Sequence, residues 1–115
     1  MAFEELHTDV RQFCERREWE QYHTPKELAI GMVTESSELL EQFRFKDQTE
    51  QSELLADAST REDIEDEVAD VLFFMLRFAD LYDIDLDEAL TRKLEKNEAR
   101  YPANEYKGRN EKYDE

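Results

Sequence analysis

The sequence predicts an all-α fold, and three observations carry that expectation. Only two glycines and two prolines occur in 115 residues, so few positions interrupt a helix. Charged residues make up 40 % of the chain, and Glu, Leu, Ala, Lys and Arg are frequent, as in helices joined by short connections. Apolar residues also recur at three- and four-residue spacing behind Ser, Thr or Asp residues suited to capping a helix. A chain of this length is expected to fold as a single domain over residues 1–115.

The first helix is expected over about Glu4 to Arg17 and carries Cys14, the only cysteine, as a core residue. A lone cysteine forms no intrachain disulfide and suits a reducing cytoplasm. "TPKE" at Thr24 to Glu27 then opens a second helix over Pro25 to Phe43, with Thr24 as cap and Pro25 at the first helical position. Leu28, Met32, Leu39, Leu40 and Phe43 form its core stripe. The polar stretch from Lys46 to Ala58 reads as a connection in which "TEQSELLAD" adds at most a short helical turn. "STRE" at Ser59 to Glu62 opens a third helix over Arg61 to Tyr82, and "DLDE" at Asp85 to Glu88 a fourth over Leu86 to Arg100. From Pro102 onward no apolar periodicity remains, and the segment reads as a tail. Four helices result.

The third helix sets a requirement that the chain alone does not meet. From Val68 to Phe78 apolar side chains point in nearly every direction, interrupted only by Asp70 and Arg77. A helix apolar all round must be buried all round, and four short helices scarcely enclose one of their own. A second copy of the chain is therefore expected on its far side, as an obligate dimer or tetramer. No apolar run approaches the roughly 20 residues that span a bilayer, and the N-terminus lacks a secretory pattern, so a soluble cytoplasmic protein is expected. The first 90 residues hold 25 acids against 8 bases, a field that argues against nucleic acid as a partner.

Asp70 is the chemical question in that helix. A carboxylate taken out of water without a partner is costly, or it protonates. "ESSE" places Glu35 and Glu38 one turn apart on the second helix, and "EVAD" does the same for Glu67 and Asp70 on the third. If the two helices run antiparallel, four carboxylates surround one small volume. Oxygen-only ligation suits a hard cation, Mg²⁺ first and Mn²⁺ second. The two histidines, His7 and His23, lie outside both motifs, which disfavours iron, and no phosphate loop, dinucleotide fingerprint, serine elbow or zinc set is present. A metal cluster without a phosphate loop suggests a substrate whose phosphates bind through the metals. The competing class is a non-catalytic acidic helical oligomer acting as an interaction protein.

The strings "REWEQYHTPKELA", "ESSELLEQFRFK", "IEDEVADVLFFML", "KLEKNEARYP" and "KGRNEKY", in that order, resemble the all-α nucleoside triphosphate pyrophosphohydrolases of the MazG-like superfamily, most closely the dCTP pyrophosphatase branch. The resemblance implies a four-helix MazG-like bundle assembled as a homotetramer of tight dimers. It also implies cleavage of a nucleoside triphosphate, preferentially a deoxynucleotide with dCTP-like pyrimidines favoured, between the α and β phosphates. Glu35, Glu38, Glu67 and Asp70 would be the metal ligands, with Glu38 or Glu35 also positioning the attacking water. Thr34 stands where the broader superfamily has the leading Glu of EExxE. Trp19, His23, Phe45 and Phe74 correspond to the base pocket, and Lys93, Asn97 and Tyr101 to positions that meet phosphate or sugar.

Overall fold

The fold was analysed in a computed structural model that describes residues 3–109. The helices are α1 (Phe3–Glu15), α2 (Pro25–Phe43), α3 (Gln48–Ala56), α4 (Ala58–Leu81), α5 (Leu86–Arg100) and α6 (Ala103–Tyr106), with a 3-10 turn at Trp19–Tyr22 between α1 and α2. The all-α expectation holds, but the described residues contain six α-helices rather than four. The chain divides into two compact units, one ending at Tyr82 and containing α1 to α4, the other beginning at Asp83 and containing α5 and α6.

The extra helix α3 arises from local capping that the polar composition obscured, whereas the short α6 lies in the segment read as a tail and has no side-chain cap. Asp47 accepts from the Glu50 backbone N–H at 2.8 Å, and the Glu50 carboxylate accepts from the Asp47 N–H at 3.1 Å. This reciprocal pair satisfies two end donors and starts α3 where a connection was expected. Helix α4 begins at Ala58, three residues early, because Asp57 rather than Ser59 is the cap and accepts from Thr60 N–H at 3.1 Å. The Thr60 hydroxyl donates back to the Leu54 carbonyl and ties the end of α3 to the start of α4. The other two capping sites form as read: Thr24 accepts from Glu27 N–H and Asp85 from Glu88 N–H.

Within the first unit α4 is the central element, packed against α2, α1 and α3. Its Ile64, Leu76 and Ala79 join Cys14 and Leu28 as the fully buried apolar residues among those described. That core is thin. Leu40, read from spacing as a core residue, is 64 % exposed and shares with Ile30 and Val33 an apolar stripe on the opposite side of α2 from Glu35. On α4, Val68 and Met75 are also exposed, and so is Asp70. Asp70 is therefore not buried in the chain by itself, and Val68 and Ala69 beside it are exposed as well.

Helices α2 and α4 run antiparallel, since Gly31 meets Phe74 while Glu35 and Glu38, further along α2, meet Glu67 and Asp70, further back along α4. Gly31 is what lets them approach at Phe74. A Cβ built there would lie 2.5 Å from two carbons of the Phe74 ring, closer than atoms tolerate. Mid-helix glycine costs roughly 0.5–1 kcal/mol against alanine, and close approach is the compensation here. Phe45, just past the end of α2, adopts φ 63°, a left-handed conformation that is strained for a bulky side chain. Its ring is 89 % exposed beneath the Arg44 guanidinium, 4.6 Å from the ring centroid.

Gly31→Ala should lower stability in urea unfolding by about 1 kcal/mol, despite alanine's better helix propensity, because overpacking displaces the Phe74 ring. Adding Phe74→Leu should recover most of that loss. An unchanged or raised midpoint for the single variant would show that α2 and α4 do not pack this closely.

Candidate metal and ligand site

Residues three apart on a helix project from adjoining positions, so α2 presents Glu35 and Glu38 together and α4 presents Glu67 and Asp70. The antiparallel packing brings the two pairs face to face. One carboxylate oxygen from each of the four residues lies within 4.8 Å of the others. Opposite oxygens around an octahedral Mg²⁺ are about 4.2 Å apart, so the span is close to that of a single coordination sphere. Glu35 and Glu67 are half-buried, whereas Glu38 and Asp70 are exposed. Glu35 Oε2 and Glu67 Oε2 are shielded from solvent and accept no hydrogen bond.

These orphaned oxygens bear on what the site holds. Buried carboxylate oxygens are normally satisfied by donors, and an unsatisfied one carries its full desolvation cost. Burial and a proton shared with Glu38, reinforced by the charges of Glu38, Asp70 and Glu67, push the Glu35 carboxyl up to about 7. Glu67 is raised for the same reasons, burial first and Glu38 next. The chain therefore answers the crowding of negative charge by favouring the protonated forms of Glu35 and Glu67. A hard divalent cation replaces those protons and uses all-oxygen ligands, so the donor set fits it.

Three of the four residues expected in a base pocket belong to one aromatic series. Trp19 stands edge-on to His23 at 6.3 Å between centroids and to Phe13 at 5.6 Å. Phe13 meets Phe73 at 5.9 Å, and Phe73 meets Phe74 at 5.4 Å. The series joins the 3-10 turn, α1 and α4, ending at Phe74, one turn along α4 from Asp70. Phe45 stands apart with Arg44. Lys93 and Asn97 lie one turn apart on α5 and Tyr101 caps its C-terminus, all in the second unit, where Tyr101 also meets the Tyr106 ring at 5.0 Å.

Sequence reasoning missed Phe13, Phe73, Gly31 and Arg77. In the sequence Arg77 is noted only as an interruption of the apolar run on the third expected helix, and Phe13 and Phe73 are given no role. Gly31 alone carried a usable signal, being a helix-interior glycine one turn before Glu35.

Fold and site together define an all-α protein whose central helices present a four-carboxylate cluster suited to a metal ion, and comparison with known proteins narrows that class. The model of the MazG-like family matches residues 30–115, and the chain belongs to that family. It is 33 % identical over 102 residues to mouse dCTP pyrophosphatase 1 and 33 % identical over 104 residues to the human protein of the same name. These matches cover 89 % and 90 % of the chain but only 60 % and 61 % of the relatives, so the chain spans about three fifths of their length. The crystal structure of a pyrophosphatase from Archaeoglobus fulgidus superposes with a TM-score of 0.80 at 42 % identity, covering 86 % of this chain and 91 % of that one. Among the described residues, no helix is long and apolar enough to cross a membrane.

The protons held by the cluster predict a pH effect of defined sign. The folded chain keeps the Glu35 proton to about 7, whereas an unfolded chain releases it near 4.5. The stability contributed is fully present below the lower value and is lost as pH rises to the upper one. In EDTA the melting temperature should fall between about pH 5 and about pH 8, and millimolar Mg²⁺ or Mn²⁺ should raise it more at the higher pH. A cation response that is absent, or largest at low pH, would contradict this account of the cluster.

Proposed function

We propose that the chain is a Mg²⁺- or Mn²⁺-dependent nucleoside triphosphate pyrophosphohydrolase. It adds water across the bridge between the α and β phosphates and releases a nucleoside monophosphate and pyrophosphate, with dCTP-like pyrimidine deoxynucleotides favoured. The observation that carries this reading is the convergence of Glu35, Glu38, Glu67 and Asp70 within 4.8 Å, with two buried oxygens that lack donors, in a MazG-like chain. The names of the mouse, human and archaeal relatives supply the reaction and the leading substrate.

In this mechanism Glu35, Glu38, Glu67 and Asp70 hold the cation. When bound there, the ion would supply neutralisation of phosphate oxygens and acidification of water. Glu38, which shares the cluster with Glu35 and Glu67, orients the attacking water in this reading, with Glu35 as the alternative. Trp19, His23 and Phe74 enclose the base through the aromatic series and Phe45 adds a stacking face; Lys93, Asn97 and Tyr101, in the second unit, are assigned to phosphate or sugar by the resemblance alone. The rival reading, an acidic interaction protein, gives the shielded oxygens of Glu35 and Glu67 no use, because a partner surface is met by exposed charge.

The reading includes a second copy of the chain. Ile30, Val33 and Leu40 on α2, with Val68 and Met75 on α4, leave apolar surface that a solitary chain would expose to water. A homodimer or homotetramer that covers those faces also removes Val68 and Ala69, and with them Asp70, from solvent.

Incubation with a panel of deoxynucleoside and nucleoside triphosphates and Mg²⁺ should release monophosphate and pyrophosphate, and EDTA should abolish the release. Glu38→Gln and Asp70→Asn should each lower the rate by more than about 100-fold with the assembly intact. No turnover of any triphosphate, or undiminished rates in both variants, would end the enzyme reading. Sedimentation equilibrium at micromolar concentration should show an oligomer that Met75→Glu dissociates; a monomeric wild type would remove the second copy.

A further inference from the structure

The proposed hydrolysis leaves one buried charge unused. Arg77 on α4 is 1 % exposed, the only fully buried charged side chain among the described residues. Its Nε donates to His23 Nδ1 at 3.1 Å, across 54 residues of sequence. Nη1 lies 3.7 Å from the Asp80 carboxylate, which Arg11 also grips through two nitrogens, and Nη2 lies 3.9 Å from Glu20. The guanidinium therefore hydrogen-bonds His23 and lies within ion-pair range of Asp80 on α4, which Arg11 of α1 holds, and of Glu20 in the 3-10 turn, while its buried Nη2 has no hydrogen-bond partner.

A guanidinium has only donors and stays protonated, so any atom it bonds must accept. Nδ1 of His23 must then carry a lone pair, and the one remaining ring proton must sit on Nε2. From this geometry we infer that Arg77 is a positioning residue that locks His23 as the neutral Nε2–H tautomer, making it a fixed donor to an acceptor atom of the bound ligand. The backbone is held as well, because the Tyr82 hydroxyl donates to the His23 carbonyl at 2.9 Å. Burial first, and the Arg77 charge second, hold His23 below its ordinary value against the weaker opposing pull of Glu20, so the ring stays neutral.

The lock defines which chemistry His23 accepts. A keto oxygen or an unprotonated ring nitrogen of a base can receive the Nε2 proton, whereas an exocyclic amine presents a second donor and is rejected. A cytosine offers O2 and N3 as acceptors, and its amine would have to lie elsewhere. The identification of the ligand as a nucleobase rests on the proposed function; the tautomer does not.

Long-range ¹H–¹⁵N spectra of the histidine-labelled full chain at neutral pH, with His7→Gln to assign the two rings, test the lock without substrate. Wild-type His23 should show an unprotonated Nδ1 and a protonated Nε2 as one species. Arg77→Met should mix the tautomers, raise the His23 midpoint by about 1 pH unit and raise KM for triphosphates about 10-fold with a smaller change in kcat, and Arg77→Lys should restore part of each. A protonated Nδ1 or a cationic ring in the wild type overturns the proposal even if no Arg77 variant folds, and so does an unchanged tautomer in folded Arg77→Met. A shifted tautomer with unchanged KM overturns the assignment to ligand binding. If the wild type shows the Nε2–H form yet hydrolyses no triphosphate, the proposed function fails and the lock stands.

Discussion

Four carboxylates held within 4.8 Å of one another repel, and the rest of the first unit exists in tension with that repulsion. Two antiparallel helices must stay close at the point where their charges would drive them apart. Gly31 and Phe74 supply the close approach one turn away, and Leu28 at the other side of Gly31 is fully buried. The cluster meets its own crowding by holding the Glu35 proton to about 7 and by raising Glu67, which is a weak solution. A cation is the stronger one, since it supplies the positive charge that the surrounding side chains do not. Stability and metal affinity are linked here through the same oxygens.

Helix α4 carries a second polar feature seven residues further on, where Arg77 follows Asp70 after two turns. The two differ in exposure. The carboxylates are partly open to water, whereas Arg77 is enclosed with Asp80, Glu20 and His23 as neighbours; the shielded oxygens of Glu35 and Glu67 and the buried Nη2 of Arg77 alike lack a hydrogen-bond partner. Between them, the series from Phe74 through Phe73, Phe13 and Trp19 to His23 provides rings whose edges and faces already pack on one another. A flat ligand entering there would meet preformed aromatic surface with one fixed donor beside it. The strained backbone at Phe45 fits the same logic, since a residue held in the left-handed region with an exposed ring is maintained at a cost to stability.

Much of this was legible in the order of residues. Helix class and the caps at Thr24 and Asp85 follow from local chemistry, and the pairs Glu35/Glu38 and Glu67/Asp70 follow from helical periodicity alone. The segment from Gln48 to Ala56 was harder to read, because its helix depends on the Asp47 and Glu50 exchange and on little apolar patterning. Ser59 looked like a cap two residues past the true one, since Asp57 and Ser59 both offer an oxygen and only the path of the chain selects between them.

The sequence by itself determined which residues share a helix face, and therefore that two acidic pairs would be available to meet. Tertiary structure decided which of their oxygens lose water. The apolar neighbours of Asp70 suggested that it is out of water, but burial depends on what packs over those neighbours, and in the single chain Val68 and Ala69 are exposed. Glu35 and Glu67 instead have the shielded oxygens, because they lie in the seam between α2 and α4. The partnership of Arg77 with His23 has the same origin. It joins side chains 54 residues apart, and no local pattern encodes a contact made only when two helices and a turn close around a buried charge.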